Sequence, residues 1–252
     1  MQHRPMWIRQ FHKPNSPELL PLLIFPHAGA GASAYRAFSK AFSANYDVTV
    51  VQYPGRQDRV REPAPTSLHE LAAGTFAEFQ ASPQHRGLPI TTFGHSMGAL
   101  VSFEFARLAE AAGITVRQLT ISAAVAPSRA ANQPRTPKED DELLAHLTNL
   151  EGTNTAIFGN PEVMKMTLPV IKSDHAASEA YSCDESVKIS ARIHAICGDN
   201  DPIVTMSDLN AWRSHSDEVN VTLFDGGHFY LNDHVDAIAE LLAANAEREQ
   251  TA

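Results

Sequence analysis

A serine, a histidine and two aspartates lie in short glycine-containing segments whose side chains could carry out nucleophilic chemistry. Ser96 is the centre of a Gly-His-Ser-Met-Gly sequence, His228 follows two glycines, and Asp199 and Asp201 lie in Gly-Asp-Asn-Asp. A serine hydroxyl becomes a strong nucleophile when a histidine removes its proton and a carboxylate orients that histidine. These residue types therefore predict attack by a serine on a carbonyl carbon.

The surrounding elements predict that these residues meet at one edge of a sheet. A short apolar strand at 89–93 precedes Ser96 and an apolar helix follows it, which is the arrangement of a nucleophile elbow. Because that turn is tight, positions 94 and 98 require glycine, which avoids a collision with neighbouring backbone. The aspartate and histidine segments each follow a predicted strand, where α/β sheets place catalytic groups. The order Ser, Asp, His is that of α/β-hydrolases.

Three aspartates are candidates for the acidic partner of His228. Asp201 is favoured, because the last residue of a Gly-x-x-Asp turn projects over the sheet. Asp199 is expected to stabilise the turn itself through an Asx-type hydrogen bond. Asp225 is a third candidate in the histidine segment. The plainer alternative for both segments is a polar loop with a surface histidine.

Two backbone amides are predicted to stabilise the oxyanion that forms when the serine attacks. Each such N–H donor contributes roughly 3 kcal/mol of transition-state stabilisation. One is the amide of Met97, the residue after Ser96, and the other is the Ala28 N–H between His27 and Gly29. This small-residue segment could instead bind phosphate, but it lacks G-x-G-x-x-G and Gly-Lys-Ser/Thr spacing.

Strands alternating with helices predict an α/β fold with a mostly parallel central sheet flanked by helices. Residues 128–188 interrupt the alternation with helical patterns at 139–150 and 161–181, which predicts a helical lid insertion within a single domain spanning 1–252. The expected strands are 7–12, 22–25, 47–53, 89–93, 116–125, 189–197 and 219–224. Further helices are expected after caps at Ser33 and Ser67, after the elbow, near 205–215 and from about 231.

Composition narrows the class of protein. The 252 residues are 43% hydrophobic and 19% charged, as in an ordinary globular protein, and the formal net charge of −9 argues against nucleic acid as the main partner. Two cysteines, Cys183 and Cys197, cannot form a disulfide framework, and no Cys/His spacing indicates a metal site. No signal-peptide or membrane-spanning pattern is present, so we expect a cytoplasmic protein without membrane association.

Several segments jointly resemble the signature sequences of type II (external, editing) thioesterases, which accompany nonribosomal peptide and polyketide synthases. The resemblance extends over essentially the whole chain and implies an α/β-hydrolase fold with a helical lid. The segments that carry it are Phe25-Pro-His-Ala-Gly29, Tyr53-Pro-Gly-Arg56, Gly94-His-Ser-Met-Gly98, Gly198-Asp-Asn-Asp201 and Gly226-Gly-His-Phe229.

The resemblance also implies an activity and a partner. The family removes stalled or aberrant acyl groups from the phosphopantetheine arm of acyl or peptidyl carrier proteins. Ser96 would be the nucleophile, His228 the base and Asp201 its orienting acid, with no cofactor other than the arm of the substrate. Contact with the carrier protein would be transient, and the protein would be a monomer.

The expected substrate-binding residues surround this site and extend into the lid. Two residues depart from the family pattern: Ala30 replaces a glycine, and His175 replaces an aromatic residue. The apolar lid positions Leu143 and Leu168 indicate core packing or an acyl pocket, and flexible methionines would suit varied acyl groups. The full substrate-binding set is His27, Gly29, His95, Met164, Met166, His175 and Phe229.

A basic group could bind an acidic carrier protein near the site entrance. It consists of Arg56, Arg59 and Arg61. The alternative is that Arg56 pairs with Asp58 or Glu62 and that the other two are solvated. Two other functions stay open at this point: a small-molecule carboxylesterase with the same triad, and an inactive α/β-hydrolase-fold binding protein.

Overall fold

A seven-stranded sheet runs through the part of the chain that the computed structural model describes, residues 7–82, 87–151 and 161–250. Its strands are β1 (Ile8–Arg9), β2 (Pro21–Phe25), β3 (Asp47–Val51), β4 (Ile90–His95), β5 (Val116–Ser122), β6 (Arg192–Gly198) and β7 (Val219–Phe224). The spatial order is β1-β3-β2-β4-β5-β6-β7, and the edge strand β1 pairs antiparallel with β3 while the other pairs are parallel. The predicted mostly parallel α/β sheet is confirmed.

Helices cover the sheet on both faces, because the chain changes direction across it. The step from β2 to β3 runs opposite to the later steps, so right-handed connections place α1 on one face and α2 and α3 on the other. Accordingly α1 packs against α7, and α2 against α3. None of the helices in the described ranges has the length and apolar character to cross a bilayer. The helices are α1 (Arg36–Phe42), α2 (Leu68–Ala81), α3 (Met97–Ala111), α4 (Asp140–Glu151), α5 (Pro161–Glu179), α6 (Met206–Asn210) and α7 (Val235–Gln250).

The central strands lie in the hydrophobic core. Every residue of β2 is buried, and Leu22, Leu23, Ile24 and Phe25 have no exposed surface. A parallel strand covered by helices on both faces requires such a continuous apolar run, since neither side of the strand meets water. The rigid sheet then fixes the loops that follow its strands.

Several predicted boundaries are wrong. The edge strand predicted over 7–12 is reduced to β1, and the strand predicted over 116–125 ends at Ser122 because Ala123 has a φ of +48°. The helix predicted near 205–215 is α6 followed by a 3₁₀ turn, Ala211–Ser214. The last helix begins at Val235, after a 3₁₀ turn at Tyr230–Asn232.

The predicted helix cap at Ser33 is also wrong, whereas the cap at Ser67 is confirmed. Ser33 lies inside a 3₁₀ helix, Ala32–Tyr35, that precedes α1, and its hydroxyl accepts a hydrogen bond from the Gln57 side chain. The N–H of Ala32 donates instead to Oε1 of Gln52 over 2.7 Å, so a side chain from the end of β3 satisfies this turn. Ser67 Oγ accepts the Glu70 N–H at the start of α2, as predicted.

The segment predicted as a helical insertion connects β5 to the neighbouring strand β6. Its described residues, 128–151 and 161–188, contain α4, α5 and no strand. Leu143, Leu168 and Ile171 form a small hydrophobic cluster separate from the main core, so Leu143 and Leu168 pack against each other. An exposed ion pair between Lys172 and Asp140 (2.5 Å) also joins the two helices. The division into a domain over 1–252 and a lid over 128–188 stays a prediction.

Candidate active site

The site forms where the sheet order reverses. After β2 the chain turns to β3 on one side, and after β3 it crosses to β4 on the other, so the loops that follow β2 and β4 diverge and leave a crevice at their carboxyl ends. The segment His27–Gly29 follows β2, and Ser96 follows β4, whose Gly94 is in register with Phe25. Both loops therefore begin side by side.

The turn at Ser96 has the strained backbone of a nucleophile elbow. Ser96 lies between β4 and α3 with φ +53° and ψ −121°, and its N–H donates to the Ser122 carbonyl over 2.8 Å. A Cβ at Gly98 would lie 2.5 Å from the Pro26 carbonyl oxygen, and one at Gly94 would lie 2.7 Å from the Cα of Ala99. These distances are shorter than real Cβ contacts, so both positions require glycine.

Ser96, His228 and Asp201 form one hydrogen-bonded chain. Nε2 of His228 lies 3.1 Å from Oγ of Ser96, and Nδ1 of His228 lies 2.8 Å from Oδ2 of Asp201. The His228 and Asp201 side chains are 3% and 0% exposed, so water does not compete for their hydrogen bond. The arrangement places a base against a hydroxyl and a carboxylate behind the base, as serine nucleophiles require.

The carboxylate of Asp201 is held in its charged form. Burial raises its pKa, but the hydrogen bonds that it accepts and the charge of His228 together outweigh burial, and the net pKa is below the ordinary value. The amides of Ile203 (2.8 Å) and Val204 (3.1 Å) donate to Oδ1 and add to this lowering. Cys197 also lies against this group, with its Sγ 3.3 Å from Oδ2 of Asp201.

Asp199 and Asp225 do not reach the histidine ring in this arrangement. Oδ1 of Asp199 accepts the N–H of Gly226 (3.1 Å) and the side-chain amide of Asn200 (2.8 Å), so Asp199 joins the aspartate loop to the histidine loop. This differs from the Asx turn expected for Asp199, because the acceptor bridges two loops. Asp225 is exposed, and its backbone carbonyl oxygen lies 2.8 Å from Nε2 of His234.

The predicted oxyanion donors lie on the two loops that begin beside each other. Met97 is the first residue of α3, where a backbone N–H has no acceptor within its own helix. Ala28 lies in a turn closed by a hydrogen bond from the Ala30 N–H to the His27 carbonyl (3.1 Å), with Gly29 at φ +76°. The positive φ at Gly29 is a conformation that side chains disfavour, and it turns successive amides in different directions.

A cluster of rings supports the His228 side chain. His95 and Phe229 lie with ring centroids 5.1 and 5.2 Å from His228, and His27 is 5.0 Å from Phe229. Nδ1 of His27 lies 2.8 Å from the Tyr35 hydroxyl, and burial, together with the charges of His228 and Arg56, lowers the pKa of His27 to about 3. The His27 ring therefore stays uncharged at neutral pH.

The prediction that His95 contacts substrate is wrong. His95 has no exposed surface: its ring packs against the ring of His228, and its Nδ1 lies 2.9 Å from the Ser122 hydroxyl. Its Nε2 has no hydrogen-bond partner within the described residues. Burial, followed by the charges of His228 and His27, lowers the pKa of His95 well below its ordinary value. The His95 ring therefore helps to hold the neighbouring ring of His228 in place.

The buried His95 makes the free energy of unfolding depend on pH. The unfolded chain binds a proton at this histidine below about pH 6.5, whereas the folded protein does not, so stability falls as pH is lowered through that value. The expected contribution is on the order of 1 kcal/mol per pH unit. Urea unfolding at pH 7.5 and 5.5 should therefore give a smaller pH dependence for His95→Asn than for the wild type. Equal pH dependence in both proteins would contradict a neutral buried His95.

Helix α5 lies over the oxyanion loop. The Ile171 side chain occupies the space where a Cβ at Gly29 would lie. Nδ1 of His175 lies 3.0 Å from the Thr136 hydroxyl, and burial is the main cause that lowers its pKa, with the charge of His228 contributing. His175 is thus held by the insertion itself and lies within electrostatic reach of the triad. The side chains of Met164 and Met166 lie outside the described part of the structure, so their predicted contacts with substrate stay predictions.

The predicted basic docking group is largely wrong. Arg56 is buried and pairs with Asp174, through bonds of 2.6 and 2.8 Å, instead of with Asp58 or Glu62. Arg59 is also buried, pairs with Glu62 and lies 4.4 Å from the centroid of the Trp7 ring. Arg61 is exposed. The first two guanidinium groups serve internal contacts, because both are buried and already bind carboxylates of this chain.

Known proteins are similar to this chain in sequence and in fold. A family model described as a thioesterase domain matches residues 20–245. The solved structure of BorB, a type II thioesterase from the borrelidin biosynthetic cluster, is 40% identical, with a TM-score of 0.86 covering 97% of this chain and 99% of BorB. Thioesterase PikA5 of Streptomyces venezuelae is 38% identical over 90% of this chain and 81% of PikA5.

A longer relative contains a similar region. Phenyloxazoline synthase MbtB of Mycobacterium tuberculosis is 42% identical over 95% of this chain, and the chain spans 17% of the length of that synthase. The family match, the BorB fold and the serine–histidine–aspartate arrangement agree with one another. The chain belongs to the thioesterase family, with the α/β-hydrolase fold.

Proposed function

We propose that this protein is a serine hydrolase that removes acyl groups from the phosphopantetheine arm of carrier proteins in nonribosomal peptide or polyketide biosynthesis. The main observation in support of this chemistry is the hydrogen-bonded chain from Ser96 through His228 to Asp201. The type II thioesterases among its relatives support the substrate class. Transient contact with an acyl or peptidyl carrier protein follows from this substrate, since the thioester is attached to that protein.

In the first step Ser96 attacks the thioester carbonyl carbon while Nε2 of His228 accepts the hydroxyl proton. Asp201 stabilises the imidazolium, and the N–H groups of Ala28 and Met97 donate to the new oxyanion. The carbon–sulfur bond then breaks, the sulfur takes the proton from His228, and the acyl group remains on Ser96 as an ester. A thiol is a good leaving group, so recognition of the acyl chain has more influence than further acid catalysis.

In the second step water releases the acid. Nε2 of His228 accepts a proton from the water as its oxygen attacks the acyl-serine, and the same two amides stabilise the second oxyanion. The Ser96 oxygen then leaves with the proton from His228, which restores the starting state. The chemistry uses side chains and backbone amides alone, so we expect no cofactor apart from the arm on the substrate.

The proposed acyl site lies between the triad and α5. His27, Gly29, Phe229 and His175 lie around it, and the insertion that contains α5 would act as the lid. Lids of this kind exclude water and select substrates by closing over them. A cytoplasmic location and a monomeric state stay predictions.

The test of this function is loss of the acyl group from a carrier protein. Intact-mass spectrometry should show that wild-type protein removes acetyl from an acetyl-phosphopantetheinyl carrier protein faster than it hydrolyses the nitrophenyl ester of the same acid at equal concentration. Rapid ester hydrolysis with an intact acetyl-carrier would contradict the proposal and indicate a small-molecule carboxylesterase. No reaction with either substrate would indicate an inactive binding protein.

A further inference from the structure

The oxyanion loop is bound to a buried carboxylate on the insertion. Asp174 lies on α5, its side chain is 1% exposed, and its Oδ2 accepts the Gly29 N–H over 2.7 Å. The residue that follows the predicted oxyanion donor Ala28 is thus fixed by an atom from a segment 145 positions later in the chain. A hydrogen bond to a charged acceptor is stronger and more directional than one between neutral groups.

Arg56 holds this carboxylate in place and also contacts the loop directly. Its two terminal nitrogens donate to the two oxygens of Asp174, over 2.6 and 2.8 Å, and Nη1 is also 3.3 Å from the Ala30 carbonyl oxygen. Its Nε donates to the Pro54 carbonyl over 3.2 Å. The planar guanidinium group therefore fixes the carboxylate in one orientation.

The contacts constrain the loop on both sides of Ala28. On one side the His27 ring is held by the Tyr35 hydroxyl at 2.8 Å. On the other side the Gly29 N–H is bound to Asp174, and the Ile171 side chain packs where a Gly29 side chain would lie. Ile171 and Asp174 are three residues apart and so share one face of α5. One helix face thus supplies both an apolar contact and a charged acceptor to the loop.

We propose that Asp174, held by Arg56, is a positioning residue for the oxyanion hole, so that the placement of α5 sets the orientation of the Ala28 N–H. This inference rests on the proposed function, since it assigns a role within that site. When α5 moves away, the Gly29 N–H loses its acceptor and the loop loses its fixed geometry. Strong transition-state stabilisation would then exist only with the insertion in contact with the loop, which couples its placement to catalysis.

The alternative is that the pair of charges only stabilises the fold, and a double variant separates the two roles. Arg56→Met combined with Asp174→Leu replaces a buried ion pair with apolar side chains of similar size, a change that proteins often tolerate without loss of stability. The fold would then retain its packing while the Gly29 N–H has no acceptor. The single variant Asp174→Asn keeps an acceptor oxygen and should have a smaller effect, although it leaves Arg56 without its counter-charge.

The control is Asp140→Asn. Asp140 pairs with Lys172, which is also on α5, so this variant breaks an ion pair between the two helices of the insertion without touching the oxyanion loop. Three measurements are made on each protein: kcat and KM for nitrophenyl acetate, the inhibition constant of methyl trifluoromethyl ketone, and the fraction of Ser96 that a fluorophosphonate labels. The ketone forms a tetrahedral adduct whose oxyanion occupies the oxyanion hole.

We expect the double variant to unfold at a temperature close to the wild type and to be labelled fully after long incubation. Its kcat should fall on the order of 100-fold, the inhibition constant of the ketone should rise by a similar factor, and KM should change little. The control variant should match the wild type. Wild-type kcat in the double variant, or a fall in kcat with unchanged ketone affinity, would overturn the proposal. Failure of the proposed function would appear separately, as wild-type protein that leaves an acetyl-carrier intact.

Discussion

Ser96→Ala is expected to lower kcat for thioester hydrolysis by on the order of 10⁶-fold, because it removes the atom that forms the acyl-enzyme. The remaining activity would come from the oxyanion hole and from substrate binding, which still favour direct attack by water. Since only the hydroxyl is removed, the elbow should retain its backbone, with position 96 at a positive φ. Carrier deacylation followed by intact mass gives the rate, and thermal unfolding shows whether the fold is retained.

The matched control for this change is Ser214→Ala. The Ser214 hydroxyl donates an exposed hydrogen bond to Oε1 of Glu185 over 2.9 Å, so this contact does not involve the triad. This variant should deacylate the carrier at the wild-type rate and should still react with a fluorophosphonate. Ser96→Ala, in contrast, should lose both reactions. Deacylation by Ser96→Ala within tenfold of the wild-type rate would show that a different group attacks the thioester.

Asp201→Asn is expected to lower kcat by about 10⁴-fold with a small change in KM. The asparagine amide would donate toward Nδ1 of His228, which favours the tautomer with its proton on Nε2. That nitrogen faces Ser96 Oγ at 3.1 Å and could then no longer accept the hydroxyl proton. The carboxylate charge that stabilises the imidazolium would also be absent. Steady-state kinetics on a small acyl thioester measures both parameters.

Asp199→Asn provides the comparison, because the two aspartates lie two residues apart in the same loop. The oxygen of an asparagine at 199 can still accept the Gly226 N–H that now binds the carboxylate at 3.1 Å. We therefore expect kcat to stay within a few-fold of the wild type, since the loops remain joined. A larger loss of kcat for Asp199→Asn than for Asp201→Asn would contradict the assignment of Asp201 as the acid of the triad.

The parts of the fold that could be predicted from the sequence depend on local patterns. The continuous apolar run at Leu22–Phe25 indicates a strand covered on both faces, and the structure places it inside the sheet, between β3 and β4. The glycines at 94 and 98 indicate a tight turn, and neighbouring backbone leaves no space for a side chain at either. Such features need only a few adjacent residues, so their physical causes are visible in the sequence.

The contacts that were not predicted join distant segments. Arg56 and Asp174 are 118 residues apart, and no local pattern indicates that this arginine is buried or that this aspartate binds the oxyanion loop. Gln52 satisfies the turn at Ala32 and so removes the need for a cap at Ser33. The position of His95 next to Ser96 suggested contact with substrate, yet both faces of β4 are covered, and the His95 ring is buried against that of His228.

Detection of the acyl group on Ser96 is the most direct test of nucleophilic catalysis by this serine. Wild-type protein is mixed with an acetyl-phosphopantetheinyl carrier protein, stopped with acid at short times, and analysed by intact mass and peptide mapping. We predict a transient increase of one acetyl group, located on Ser96, that appears as the carrier loses it and decays as acetate forms. Loss of acetyl from the carrier with no acetylated Ser96 at any time, in a quench fast enough to resolve one turnover, would contradict nucleophilic catalysis by this serine.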